Sequence, residues 1–324
     1  MDSRQLGRTG RQVSVVGLGT WQLGGDWGDV DESRSLDILA AAVESGVTLF
    51  DTADVYGDGR SEQTIGAFLR SHPDVDVTVA TKMGRRAEQL RANYTLENFR
   101  SWNDRSRRNL GVDTLDLVQL HCPPTDVFTD DEVFDALDTL VDEERIAAYG
   151  VSVETVEQAL IAIARPHVAT VQIILNAFRQ KPLDEVLPAA VAAGVGVLAR
   201  VPLASGLLSG RFTHDTQFAA DDHRAFNRHG EAFDVGETFA GIDYDTGVDA
   251  AREFAALSDH PAQLALRWVI DQPGVTTVIP GASRVDQARS NAAAAERAPL
   301  EPTMIDAIGR IYDDSIRPLV QDRW

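Results

Sequence analysis

Val47-Thr-Leu-Phe-Asp51, Val77-Thr-Val-Ala-Thr-Lys82 and Leu115-Asp-Leu-Val-Gln-Leu-His121 decide how this chain is read. Each is a short apolar run, rich in strand-forming residues, that ends on an ionisable side chain where a loop begins. Tyr56 follows five residues after Asp51, in Asp51-Thr-Ala-Asp-Val-Tyr56-Gly57. As consecutive strands of a (β/α)8 barrel, these segments bring Asp51, Tyr56, Lys82 and His121 to the C-terminal mouth, where such barrels keep their chemistry. A carboxylate, a phenol, an amine and an imidazole meeting there form a proton-donating site for a carbonyl.

The same alternation extends outward in both directions. Arg4-Gln-Leu6 and Gln12-Val-Ser14 flank Gly7-Arg-Thr-Gly10 and predict an N-terminal β-hairpin. Val15–Gly19 is the first barrel strand, followed by a helix expected to turn Leu36, Leu39, Ala40 and Val43 inward. A second helix is expected from Ser61, with Ile65, Phe68 and Leu69 inward, and Thr95 is placed to cap a third. Val133, Leu137, Leu140 and Val141 mark the next. Ile146–Ser152, Thr170–Asn176, Gly196–Val201 and Thr276–Ile279 supply strands five to eight, with Val156, Ala159, Leu160 and Ile163 on a helix between the first two. Eight short strands with intervening amphipathic helices predict an α/β fold, a (β/α)8 TIM barrel, as a single domain over residues 1–324.

Composition narrows the setting. Of 324 residues, 44% are hydrophobic, enough for a large core. No secretion signal or membrane-spanning run is evident, so a cytoplasmic protein is expected. The 50 acidic residues against 30 basic give a net charge of −20, a surface that repels nucleic acid and anionic membranes. Only Lys82 and Lys181 are lysines. That acidity with little lysine predicts a halophilic protein, whose self-repulsion is relieved by a salt-rich medium. The lysine kept at a strand end is all the more telling, because an ammonium approaches a phenol as a compact point charge. Lone Cys122 excludes an internal disulfide framework; it is expected to point away from His121 as a small packed residue.

From Ser205 to about Thr246 the rhythm breaks, and a long loop is expected at the mouth after strand seven. It contains His214, His223 and His229 near Asp221 and Asp222, but their spacing matches no helical ligand pair, so no metal site is expected. Gly17-Leu-Gly-Thr-Trp-Gln22 lacks the third glycine of a dinucleotide fingerprint, which argues against a Rossmann domain.

Gly17-Leu-Gly-Thr20-Trp21, Phe50–Gly57, Lys82, Gln119-Leu-His121, Gly150-Val-Ser152 and Ile279-Pro-Gly281, in this order and spacing, resemble the aldo-keto reductase superfamily. The resemblance covers nearly the whole chain and is weakest over 215–245 and the last twenty residues. It implies a (β/α)8 barrel that uses NADPH, less often NADH, to reduce aldehydes and ketones or to run the reverse. Tyr56 then matches the general acid, Lys82 the cation that lowers its pKa, Asp51 the partner of that ammonium, and His121 the donor that orients the carbonyl. Thr20 and Trp21 belong to the cofactor and substrate wall. Ser152 and Gln172 match positions that hydrogen-bond the nicotinamide carboxamide. Pro202-Leu203-Ala-Ser205-Gly206, followed by Arg211, matches the segment covering the pyrophosphate. Gly281, Ser283, Arg284, Gln287 and Asn291 match the adenosine end. Ser283 and Arg284 suit a 2′-phosphate, although Arg284 also reads as an exposed arginine at a helix start, which keeps NADH open.

Two positions depart from that pattern. Val153 stands where many members carry Asn, and Arg200 where many carry an aromatic ring over the nicotinamide. A planar guanidinium can stack, but it disfavours the positive, oxidised ring unless an acid neutralises it. Trp21 and Trp27 are candidates for the substrate wall. The expected substrate is a small carbonyl compound or sugar. A polyol dehydrogenase working in the oxidative direction, or a cofactor-binding regulatory subunit, are the competing readings. No oligomeric state follows from the sequence.

Overall fold

The computed structural model describes residues 1–24, 31–220, 222–232 and 234–324. Strands β1 (Ser3–Gln5) and β2 (Gln12–Ser14) form the N-terminal antiparallel hairpin. Eight parallel strands follow: β3 (Leu18–Gly19), β4 (Leu49–Asp51), β5 (Thr78–Met83), β6 (Leu117–His121), β7 (Tyr149–Ser152), β8 (Thr170–Ile174), β9 (Gly196–Arg200) and β10 (Thr277–Val278). Each pairs with its sequence neighbours. Parallel bridges Val16–Val278 and Gly19–Gly281 join the first strand to the last, with Gly17 N donating to Val278 O (2.8 Å). The sheet therefore closes into the predicted (β/α)8 barrel.

The hairpin plugs the end of the barrel away from the site. Leu6 and Val13 are fully buried against Leu49, Ala80, Leu117, Leu198 and Ile279, one apolar layer across the barrel interior. Gly7, at φ +50°, lies so close to Ala169 and Gly196 that a side chain there would collide with their backbone. That apolar layer explains the site. Side chains two apart on a strand share a face, so Asp51, Lys82, Gln119 and Arg200 stand one step nearer the mouth than Leu49, Ala80, Leu117 and Leu198. His121, four residues beyond Leu117, follows the same face.

Helices cover the outside. Glu32–Glu44 is capped by Asp31, and Leu96–Leu110 by Thr95, whose side chain accepts from Asn98 N. Val156–Ile163 opens with a Thr155–Gln158 capping box. The first helix is rotated from the expected face: Ser35, Ile38, Leu39, Ala41 and Ala42 are buried, while Leu36, Ala40 and Val43 are only partly so. The buried stripe is thus centred on Ile38, Leu39 and Ala42 rather than on Leu36, Ala40 and Val43. In the helix Arg60–Ser71, Ile65 and Phe68 are buried as expected and Leu69 lies at the margin. Among the described residues, no helix is long and apolar enough to cross a membrane.

The stretch after β9 is irregular, with short turns at Ala204–Ser209, His223–Phe226, Val235–Glu237 and Phe239–Gly241. It ends slightly sooner than expected, where Asp243 caps the helix Tyr244–Ala255 by accepting from Thr246 N.

Candidate active site

A cleft of about 630 Å³ opens at the C-terminal mouth. At its floor, Lys82 Nζ donates to Asp51 Oδ2 (2.7 Å) and to the Thr52 carbonyl (2.8 Å), and reaches Tyr56 Oη at 3.4 Å. Gln172 Nε2 holds the other carboxylate oxygen, Asp51 Oδ1, at 2.7 Å. The ammonium is thus fixed by strand register and by two acceptors, with the phenol as its third neighbour. Tyr56 is aimed by the turn behind it: Gly57, at φ +57°, packs on the backbone of Gly24, where a side chain would collide. The Tyr56 ring stacks on Trp21 (6.1 Å, 26°) and meets His121 edge-on (5.9 Å, 83°).

Burial opposes the charge on Lys82, yet Asp51 and then Tyr56 hold its pKa above the ordinary value. Burial also pushes the Tyr56 phenol upward, and Lys82 only partly pulls it back. This revises the expected net lowering: the ammonium acts in the anticipated direction but is outweighed by desolvation. Tyr56 is therefore a neutral phenol with a proton to give. Burial, followed by the charges of Arg85, Lys82 and Arg200, holds His121 well below the usual histidine range, so it is neutral. Arg85 Nε donates to the His121 carbonyl (3.1 Å).

Ser152 and Arg200, at the ends of β7 and β9, and Gln172, in the middle of β8, form the adjoining wall. Arg200 donates to the Val153 carbonyl (3.0 Å) and pairs with Glu237 from the far segment. Cys122 lines the same cleft, contrary to the expectation that it points away. It leaves β6 at φ +48°, which breaks the strand alternation and brings Sγ to 3.4 Å from Ser152 Oγ and 3.7 Å from Arg200 Nη2.

Pro202, Leu203, Ser205 and Gly206 border the next stretch of the cleft, and Gly281, Ser283, Arg284 and Gln287 its far end. Thr20 lines it too, although its hydroxyl is engaged by the Asp51 carbonyl (2.8 Å). Gln287 Oε1 accepts from Ser283 N and Oγ (2.9 and 3.0 Å), and Arg284 pairs with Asp286 (3.0 Å). Asn291 lies behind this end, donating to the Gly281 carbonyl (3.1 Å).

Arg211 is a correction: it is exposed and does not line the cleft. The lining cation from this segment is Arg224, stacked over Phe218 (4.6 Å) and paired with Asp222. Trp27 and Asp221 lie outside the described residues. His214 bonds Asp245 and Asp249, and His223 packs on Trp21 (5.2 Å). Among the described residues, no group of His, Cys, Asp and Glu is arranged to hold a metal. Arg85, Glu237 and Arg224 were missed by sequence reasoning. Arg85, three residues beyond Lys82 in Lys82-Met-Gly-Arg85, could have been found; the other two carry no periodic signal.

The model of the aldo/keto reductase family matches residues 15–313, and the chain belongs to that family. It is 31% identical to the aldo-keto reductase YhdN of Bacillus subtilis over 300 residues, covering 89% of this chain and 86% of that one. Its fold matches the glycerol dehydrogenase of Gluconobacter oxydans with a TM-score of 0.77 at 30% identity, covering 97% and 96%. It also matches a Klebsiella pneumoniae aldo-keto reductase solved with NADPH, with a TM-score of 0.71 at 25% identity over 96% of each chain.

Proposed function

We propose that this aldo/keto reductase reduces an aldehyde or ketone to the alcohol with NADPH as hydride donor, Tyr56 supplying the proton. The observation that carries the reading is the buried Asp51–Lys82 pair reaching the half-buried Tyr56 at the cleft, with Nζ at 2.7 Å from the carboxylate and 3.4 Å from the phenol.

The cleft suits a nicotinamide dinucleotide. Among its described lining residues are four arginines (Arg85, Arg200, Arg224, Arg284) and three carboxylates (Asp51, Asp222, Glu237), in a chain whose net charge is −20. An anion is thus better received there than elsewhere on the surface. Buried atoms without a protein partner, among them His121 Nδ1, Arg200 Nε and Gln22 Oε1, belong to residues lining the cleft. When bound, the cofactor supplies the hydride to the carbonyl carbon. Ser152 and Gln172 would hold its nicotinamide amide, Ser205 and Gly206 border its phosphates, and Ser283 and Arg284 receive its 2′-phosphate. NADH is accepted less well on this reading.

Tyr56 and His121 bind the substrate oxygen from two sides. As negative charge grows on that oxygen, Tyr56 gives up its proton and Lys82 stabilises the phenolate left behind. Asp51 keeps the ammonium in register, and Trp21 covers the pocket. Oxidation of a polyol is the second reading. It is supported by a neighbouring cavity of about 480 Å³ that shares Arg85 and Cys122 with the cleft and adds Gln89, Glu154 and Gln158, side chains suited to hydroxyl groups. We further take residues 1–324 as one domain of a cytoplasmic enzyme adapted to high salt.

The test is label transfer. With cofactor deuterated at the transferred position and a panel of aldehydes, ketones and sugars in concentrated KCl, deuterium is expected in the alcohol. Tight cofactor binding with no transfer in either direction would replace this reading with a regulatory, cofactor-sensing role.

A further inference from the structure

We propose that Glu237 sets the relative affinity of the cleft for oxidised and reduced nicotinamide, by neutralising Arg200. The inference rests on the cofactor reading above and concerns charge balance beside the ring.

A hydride donor must face the carbon whose oxygen is bonded to Tyr56 and His121. The wall available on that side is Ser152, Gln172 and Arg200. Arg200 has little freedom there: it is buried, bonded to the Val153 carbonyl, and 3.7 Å from the sulfur of Cys122, the residue after His121. Its charge is felt at the reacting groups, since Arg200 helps lower His121 and Glu237 helps raise Tyr56. A bare guanidinium in that place would repel the positive nicotinamide ring of NADP+ but not the uncharged dihydronicotinamide ring of NADPH.

Glu237 answers that charge. Its carboxylate pairs with Arg200 Nη1, with both side chains largely shielded from water. The pairing is imposed from across the cleft, because Glu237 lies in the irregular segment and not on a barrel strand. Ser205 Oγ clamps that segment by donating to the Glu237 carbonyl (2.6 Å) and accepting from Phe239 N (3.2 Å). A neutral ion pair therefore borders the ring, and both redox forms can be bound.

The experiment measures the dissociation constants of NADP+ and NADPH for the full chain by fluorescence, without turnover, and compares their ratio. Glu237→Gln should weaken NADP+ relative to NADPH by tenfold or more, raising the potential of the bound couple by about 30 mV per tenfold. Arg200→Gln, which leaves the carboxylate unopposed, should move the ratio the other way. The double variant should return it to within about threefold of wild type, because the charges cancel again. Should Glu237→Gln fail to fold, the opposite shift in Arg200→Gln still decides the matter. Binding of both forms with an unchanged ratio in the variants would overturn this proposal alone. Failure of wild type to bind either form would overturn the cofactor reading and this proposal with it.

Discussion

The strand ends and the segment from Ala204 to Gly241 build the same cleft by different physics. Asp51, Lys82, His121, Ser152, Gln172 and Arg200 are placed by a hydrogen-bonded ladder whose period of two fixes each side chain's direction. Among its described residues, the segment has no such ladder. Ala204, Ser205, Phe239 and Ala240 adopt positive φ, and its order comes from side chains: Phe212, Phe218, Phe239 and Tyr244 form an aromatic cluster crossed by Arg224 and Arg228. Arg179, buried and stacked on Trp324 at 3.8 Å, packs beside Asp234, and Arg323 donates to the Gly241 carbonyl (2.8 Å). On the proposed reading, the strands hold the proton chemistry, while the clamped segment controls what lies over it.

If that division is right, the greatest damage comes from the floor. Lys82→Met leaves the buried Asp51 carboxylate with only Gln172 and should cost about 3–5 kcal/mol in urea unfolding. Turnover should fall by about 10²–10⁴-fold. An equal loss from Ser205→Ala would break the comparison.

Asp54 sharpens it. Its carboxyl is buried in the turn between Asp51 and Tyr56 with neither oxygen hydrogen-bonded, and burial, then Glu62, push its pKa up to about 7. A raised carboxyl binds its proton more tightly in the folded state, so stability is lost as pH rises from about 4 to 7 and stays reduced above. Asp54→Asn should therefore stabilise the protein by about 2–4 kcal/mol at pH 8 and leave it unchanged near pH 4. A pH-independent effect would mean the carboxyl is not held neutral.

For the segment the expected changes are smaller and fall on binding. Ser205→Ala removes two hydrogen bonds worth about 1 kcal/mol each. It should speed cofactor dissociation by about fivefold or more in stopped flow, and lower Tm by only about 3–4 °C. Arg224→Ala should weaken NADPH several-fold, whereas Arg211→Ala should leave its Kd within error. The reverse order would return the phosphate contact to Arg211.

The floor was legible because each strand announces itself and its last polar residue in one short run. Lys82 was doubly marked, by position and by a composition that holds only one other lysine. Cys122 was misread because one left-handed residue undoes the alternation on which the reading depended. Arg211 was singled out because it follows Pro202–Gly206 closely in sequence, and proximity in sequence stands in for proximity in space only where the chain runs regularly. Glu237 had no such cue: its approach to Arg200 depends on a hydroxyl clamp and an aromatic cluster that no periodicity announces.

The central claim is that Tyr56 delivers the proton, and Tyr56→Phe tests it most directly. The variant keeps the ring against Trp21 and removes only the hydroxyl. The account predicts that NADPH binds within a few-fold of wild type while hydride transfer to every carbonyl substrate falls by about 10²–10⁴-fold or more. Transfer at the wild-type rate with the phenol gone would contradict it.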